Sequence, residues 1–385
     1  MSATAESVVP ELRREDLDSE PGFDGRRFRN RTLLLAVVVL AAVAVIALVP
    51  GLSSLRARFA HAQWAWLVLG AAFKLLSGLA YVAVFRAVFC TSMSWRLSGE
   101  IGMAELGANA VVPTGGAGGL ALGAWALRRA GMQTDRIARR SVAFFFLTSV
   151  PNVLGVIVLG LGMALGLFGG RAGLALTLLP ALIAIAAVIA TLASGRWAGV
   201  AQQRLAARRG PDARMPRVLG ALAGGVEEAL LLRRHDPWLI LGLIGYLVFD
   251  VLILVCTFHA FSAVPPMSVI WIGYLIGELG GLIPVPGGIG GVDLGLVGML
   301  VLYRVPVGAA TAAVLAYRAI TLWVPAVTGA AAFVLLQRSR SREALAISEC
   351  LPGGEVEVIG RGRVRLSAAA ANVAARDGAG TSARG

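Results

Sequence analysis

The sequence Gly281-Leu-Ile-Pro-Val-Pro-Gly-Gly-Ile-Gly-Gly-Val-Asp293 interrupts an apolar stretch that runs from about residue 269 to residue 302. Prolines and clustered glycines cannot continue a helix at full stability. Non-helical backbone is costly in lipid, because its N–H and C=O groups lose water, and it survives only beside protein or a wet cavity. The stretch therefore predicts a helix broken at membrane depth. The residues predicted to form this break are Pro284, Pro286, Gly287, Gly288 and Gly290.

The composition of the chain predicts a membrane protein. Hydrophobic residues make up 57% of the 385 residues and charged residues 15%, whereas soluble domains carry about 25% charged residues. Several apolar runs reach the length of about 20 residues that spans a bilayer as a helix. We predict an all-α polytopic fold. The six predicted full spans are 32–50, 64–89, 142–167, 174–193, 237–263 and 307–336.

A second broken stretch, at about 101–127, indicates that the chain contains an internal repeat. Gly115-Gly116-Ala-Gly-Gly119 recurs as Gly287-Gly-Ile-Gly-Gly291, an offset of 172 residues (287 − 115). The Trp-led sequence at 66–70 recurs at 238–242, and a Val-Pro segment at 150–155 recurs at 324–329. Three matches in order at nearly one offset predict two related halves, at about 64–167 and 237–336. The residues predicted to form the first break are Pro113, Gly115 and Gly116.

Loop charge predicts the orientation of the chain. The net charge is +13, and most arginines lie in segments between apolar runs that fall on one side of the membrane. This is the positive-inside pattern rather than a nucleic-acid-binding face. This asymmetry holds only if each broken stretch enters and leaves the membrane on the same side, so we predict two re-entrant hairpins and inverted halves. The predicted cytoplasmic segments are a disordered tail at 1–31, a loop at 195–236 and a mostly disordered tail at 337–385. Alternation at 355–366 is compatible with a small β-hairpin.

Charged residues inside the spans are the candidate site. Lys74 and Asp250 lie ten to twelve residues into partner spans, which puts both near the middle of the bilayer at about 1.5 Å per residue. We hypothesise that they pair across the pseudo-two-fold axis or face the same cavity. Arg318, next to Tyr317, suits a bidentate phosphate contact, and a structural salt bridge to Asp293 or Glu278 is the alternative. Other tyrosines, at 81, 246 and 274, are predicted to be packing or interfacial residues.

Polar side chains also flank both breaks. Glu105 and Asn109 precede the first break, and Glu278 and Asp293 bracket the second. Ionisable groups at membrane depth are functional candidates by default, although such residues cost little if they lie at the interface. A helix that begins after a glycine cluster also offers backbone donors to an anion such as a phosphate headgroup. The alternative to anion binding is that these glycines only permit tight helix packing.

The stretch 281–293, with Ala316-Tyr317-Arg318 and a Trp-Val-Pro-x-x-x-Gly ending at 323–329, resembles the flippase-like family that includes the transmembrane region of lysylphosphatidylglycerol synthase. Asn109-Ala-Val-Val-Pro113 resembles its upstream motif. The resemblance covers about residues 33–337 and implies lipid translocation. Asp293 stands where that family usually has glutamate. The segment after the last span is too short for an aminoacyltransferase domain, so we expect no enzyme activity from this chain alone.

Three functions fit these features to different degrees. A lipid flippase of a bacterial plasma membrane, moving a phospholipid or a lipid-linked headgroup through a midplane cavity, is the primary expectation. A gradient-driven transporter of a small solute also uses inverted repeats with broken helices. A membrane-embedded transferase for lipid-linked sugars needs a carboxylate or histidine cluster at one interface. No P-loop, metal site or cofactor is expected, and the expected partners are membrane lipids and a separate lipid-modifying enzyme.

Overall fold

The computed structural model describes residues 59–91, 93–111, 117–129, 132, 134–168, 173, 176–190, 237–278, 291–338, 356–359 and 363–366. Several predictions fall outside these residues. They concern the first span at 32–50, the loop at 195–236, the tail at 1–31, and both broken segments, at 112–116 and 279–290, with Pro113, Gly115, Gly116, Pro284, Pro286, Gly287, Gly288 and Gly290.

The described part of the membrane region is built from helices. Four of them, α1, α4, α6 and α9, are long and apolar enough to cross a bilayer. The spans predicted at 64–89, 237–263 and 307–336 are confirmed as helices, and the described part of the span predicted at 174–193 is helical. The helices are α1 (Trp64–Phe89), α2 (Trp95–Val111), α3 (Ala117–Arg129), α4 (Thr134–Ala164), α5 (Leu176–Ala190), α6 (Pro237–Ala260), α7 (Met267–Glu278), α8 (Gly291–Leu302) and α9 (Val307–Arg338).

Helices α1 and α6 pack against each other in an antiparallel arrangement. A Cβ placed on Gly242 would lie 2.9 Å from the carbonyl oxygen of Ala80, and one on Gly70 would lie 3.5 Å from the Cβ of Cys256. Small residues at such contacts let helix backbones approach closely, which is how helices associate in lipid. Large apolar side chains on the outer faces, such as Leu79 and Ile244, are exposed, as expected where helices meet acyl chains.

Each broken stretch contains two helices that fold back on each other. In the first pair, α2–α3, Gly119 lies against Asn109 and Gly123 against Glu105. In the second pair, α7–α8, Gly277 lies against Leu296 and Gly273 against Leu300. In both pairs, a later residue of the first helix contacts an earlier residue of the second helix. Each pair is therefore an antiparallel helical hairpin.

Each helical hairpin packs on a long helix from the other of the two predicted halves. Helix α2 packs on α9, where a Cβ on Gly329 would lie 2.7 Å from the carbonyl oxygen of Met103. Helix α7 packs on α4, where a Cβ on Gly155 would lie 2.8 Å from a methyl group of Leu275. Each hairpin therefore rests on the long, proline-containing helix of the other half, since Pro151 lies inside α4 and Pro325 inside α9.

A small hairpin follows the membrane region. Strands β1 (Val356–Ile359) and β2 (Arg363–Leu366) pair in an antiparallel arrangement, with Val356 opposite Leu366. This hairpin matches the alternation of the sequence at 355–366.

Candidate functional site

The centre of the site is a buried ion pair between α1 and α6. The Nζ atom of Lys74 donates to Oδ1 of Asp250 over 2.8 Å, and the two residues are 8% and 5% exposed. The hypothesis that these residues pair is confirmed. Desolvating two charges is expensive, so such a pair is stable only while both partners stay in place.

A second ion pair joins α9 to the start of α8. The Nε atom of Arg318 donates to Oδ1 of Asp293 over 2.8 Å. Their side chains are 27% and 22% exposed, so this pair is more open than the first. The contact is the salt bridge that the sequence offered as an alternative to phosphate binding. Asp293 also lies in the first turn of α8, where the positive end of the helix dipole favours a carboxylate.

Glu278 connects the two ion pairs. It is the last residue of α7, and its carboxyl group lies within electrostatic range of Asp250, Arg318, Lys74 and Asp293. Charges contributed by five helices therefore meet in one region. We call Lys74, Asp250, Glu278, Asp293 and Arg318 the charge cluster.

Tyrosines surround the charge cluster, and four of the five in the chain take part. Tyr274 and Tyr317 share a hydrogen bond and an edge contact with centroids 6.2 Å apart, and both lie within electrostatic range of Glu278 and Asp250. Tyr246 is also in range of these two carboxylates. Its ring lies 5.7 Å from that of Tyr81.

The prediction that Tyr81, Tyr246 and Tyr274 serve for packing is confirmed, because each packs in an apolar cluster, but it did not include their proximity to the carboxylates. The sequence carried a usable signal. Tyr246 lies four residues before Asp250, and Tyr274 lies four residues before Glu278. That spacing puts each hydroxyl and carboxyl pair on one helical face.

Glu105 lies beside this region on α2, and neither of the two ion pairs above includes it. The residue is 4% exposed, and its carboxyl forms a side-chain hydrogen bond with Tyr81. The Oε2 atom has no hydrogen-bond partner within the described parts of the chain. It lies 2.7 Å from the position of a Cβ on Gly123, so only glycine leaves room for the carboxyl at that point.

Asn109 holds the first hairpin together. Its Oδ1 atom accepts a 2.7 Å hydrogen bond from the backbone N–H of Gly119, in the first turn of α3. Such N–H groups have no partner within their own helix. The sequence suggested that donors of this kind could bind an anionic headgroup, but at Gly119 the protein supplies its own acceptor.

Replacing Asn109 with alanine is expected to lower the free energy of unfolding by about 1 kcal/mol, because the Gly119 donor loses its acceptor. Asn109→Asp keeps an acceptor at the same reach and is the matched control. Unfolding of the purified protein in mixed micelles measures both variants. Equal losses for alanine and aspartate would contradict a capping role for this side chain.

The site is built from ion pairs and hydroxyls rather than from metal ligands. Among the residues that the structure describes, no group of three or more His, Cys, Asp or Glu side chains is arranged to hold a metal ion. The chemistry available to the described groups is the binding and exchange of charged or hydrogen-bonding ligands, and of protons.

Comparison with known proteins adds a family. No curated protein matches the chain. The family described as the lysylphosphatidylglycerol synthase TM region matches residues 33–329, which include the described helices from α1 to α8 and most of α9. The resemblance seen in the motifs at 109–113 and 281–293 is thus confirmed, and this multi-pass membrane protein belongs to the family of the lysylphosphatidylglycerol synthase TM region.

Proposed function

We propose that this chain is a lipid flippase that moves a phospholipid or lipid-linked headgroup across a bacterial plasma membrane. The observation that carries the proposal is the charge cluster, to which the α7–α8 hairpin and the long helices α1, α6 and α9 contribute. Charged side chains inside a membrane protein are costly, and they mark substrate or ion pathways. Acyl chains can stay in lipid while only the headgroup crosses this polar region, so the chain acts as a transporter rather than as an enzyme.

The proposed mechanism is alternating access between two inverted repeats, with one re-entrant hairpin opening to each face. Matched contacts support this arrangement. Met103 and Leu275 lie 172 residues apart (275 − 103), and Gly155 and Gly329 lie 174 apart (329 − 155). These residues make the corresponding α2–α9 and α7–α4 contacts. Inverted repeats with broken helices supply two related packings around one fixed site.

The Arg318–Asp293 pair is the proposed headgroup contact. It is the more open of the two ion pairs, and guanidinium is suited to planar phosphate recognition. A phosphate that takes the place of the Asp293 carboxylate would keep Arg318 paired throughout the cycle. The Lys74–Asp250 pair, which is buried more deeply, would then hold α1 to α6 while the hairpins move.

The test is lipid translocation in proteoliposomes that contain headgroup-labelled phosphatidylglycerol and phosphatidylethanolamine. We expect Arg318→Ala to slow translocation about tenfold or more, since a hydrogen bond to a charged group contributes about 1.5–3 kcal/mol. Arg318→Lys keeps the charge but lacks the planar fork of the guanidinium group. Its translocation rate should therefore lie between those of the wild type and Arg318→Ala. Arg304→Ala, an exposed arginine in the turn after α8, is the control and should leave the rate unchanged. If the wild-type protein moves no labelled lipid, the flippase proposal fails and a small-solute transporter takes its place.

A further inference from the structure

Glu105 is a carboxyl group whose charge the described site does not balance. The site contains four acidic residues, Glu105, Asp250, Glu278 and Asp293, but two basic ones, Lys74 and Arg318. Both basic residues donate to Asp250 or Asp293. Glu105 is nearly fully buried and has one oxygen without a hydrogen-bond partner in the described parts of the chain. Because burying an isolated charge is expensive, a carboxyl in such a setting is neutralised by a proton or a counter-ion.

The helices packed against α2 bring no described cation to Glu105. From α1 the facing group is the Tyr81 hydroxyl, which hydrogen-bonds to the carboxyl. From α3 the facing residue is Gly123, which carries no titratable group. Helix α9 meets α2 through the backbone of Pro325 and Gly329 at Gly107. The described groups that face Glu105 from these helices are therefore a neutral hydroxyl and close-packed glycines, and a proton neutralises a carboxyl without further space.

Two neighbouring tyrosines lie near both Glu105 and the charge cluster. The Tyr81 ring contacts the ring of Tyr246, and Tyr246 lies within electrostatic range of Asp250 and Glu278. Glu105 and the carboxylates of the charge cluster therefore each lie near one of two tyrosines whose rings contact each other. Tyr81 is buried, and Tyr246 is partly buried against the same apolar cluster.

We propose that Glu105 takes up a proton from one side of the membrane and releases it to the other in each transport cycle, so that headgroup movement is coupled to a proton gradient. This inference rests on the proposed transport function. The step balances, because the O–H bond that forms when the carboxylate takes a proton from hydronium on one face breaks again when the proton returns to water on the opposite face.

The experiment uses proteoliposomes of phosphatidylglycerol and phosphatidylethanolamine that contain a labelled phospholipid and a trapped pH indicator. For the wild-type protein we expect an imposed pH difference to drive lipid accumulation in one leaflet, with about a tenfold concentration ratio per pH unit for one proton per lipid. The indicator should report proton movement together with lipid movement. Glu105→Gln, which keeps shape but cannot ionise, should abolish both the accumulation and the coupled proton flux.

The matched control is Glu100→Gln on the same helix. Glu100 is also buried, at 6% exposure, and one of its oxygens lies 3.0 Å from Arg96, so the control removes a buried carboxyl of the same type. Coupling should survive this change. Tyr81→Phe, which deletes only the hydroxyl, should weaken coupling. Lipid movement without proton movement, or coupling that persists in Glu105→Gln, would overturn the proposal.

A second measurement keeps this test separate from the test of the transport function. Infrared difference spectra of the reconstituted protein, taken on changing pH, should show the C=O band of a protonated carboxylic acid that is absent in Glu105→Gln and present in Glu100→Gln. This signal needs no transported lipid. If no lipid is moved but the band is found, the flippase assignment fails and the proton site stands. If the band is the same in both variants, the proton site is refuted.

Discussion

Replacing Lys74 with methionine is expected to lower the free energy of unfolding by about 3–5 kcal/mol, because removing one partner of a buried ion pair leaves an uncompensated charge in the interior. The remaining partner, Asp250, is 5% exposed and lies within electrostatic range of three tyrosines. The double variant Lys74→Met/Asp250→Leu removes both charges, and we expect it to recover most of the loss, since apolar replacements of whole buried pairs are often neutral or stabilising. Reversible unfolding in mixed micelles measures both variants.

The control for this cycle is Leu75→Ala, one residue further along α1. Leu75 is 45% exposed on the outer face, and substitutions at such positions usually change stability by less than about 0.5 kcal/mol. Additive effects of the Lys74 and Asp250 changes would contradict the pairing. The same variants separate structure from transport, because a double variant that is stable but does not move lipid would show that the pair has a role beyond packing.

The second large effect is expected at the crossing of α2 and α9. A Cβ on Gly107 would lie 2.7 Å from the Cα atom of Gly329 and 2.8 Å from the carbonyl oxygen of Pro325. These neighbours are backbone atoms, which cannot turn aside, so Gly107→Ala must push the helices apart. We expect a loss of about 1–3 kcal/mol, the usual cost of overpacking. Thermal unfolding of the purified protein measures the loss, and the lipid assay should show reduced translocation.

Gly99→Ala provides an internal comparison on the same helix. A Cβ at Gly99 would meet no atom within 4 Å, so only the helix propensity changes. Alanine is favoured over glycine inside a helix by about 0.5–1 kcal/mol, and this variant should therefore gain stability. Effects of the same sign at Gly99 and Gly107 would contradict a role for the α2–α9 contact.

The central ion pair was predictable from sequence for a specific reason. Lys74 and Asp250 are separated by 176 residues, but the repeat makes their helices partners and puts both near mid-span. Charge at that depth requires a partner, and the two residues carry opposite signs. The helices α1, α6 and α9 were predictable on similar grounds, because long apolar runs have few alternatives to a membrane helix.

The environment of the charge cluster was harder to predict. Tyrosine occurs in cores, at interfaces and in binding sites, so the types of Tyr81, Tyr246 and Tyr274 alone did not distinguish these roles. The contact between Glu105 and Tyr81 joins two helices whose relative rotation no sequence pattern specified. For Arg318, the sequence was compatible with a salt bridge to Asp293 or Glu278 and with a phosphate contact. In the structure, Arg318 donates to Asp293 at the start of α8.

The packing of each hairpin on a long helix from the other half has a consequence for how the protein is made. Helix α2 is synthesised early, but its closest partner, α9, is the last helix of the described membrane region to leave the ribosome. The glycine face of α2 around Gly107 therefore has no Gly329 to pack against until most of the membrane region has been translated. Contacts between distant parts of a chain close late and slow folding. Helix α2 cannot complete its packing before α9 is made, so we expect the docking of α9 on α2 to come late in biogenesis.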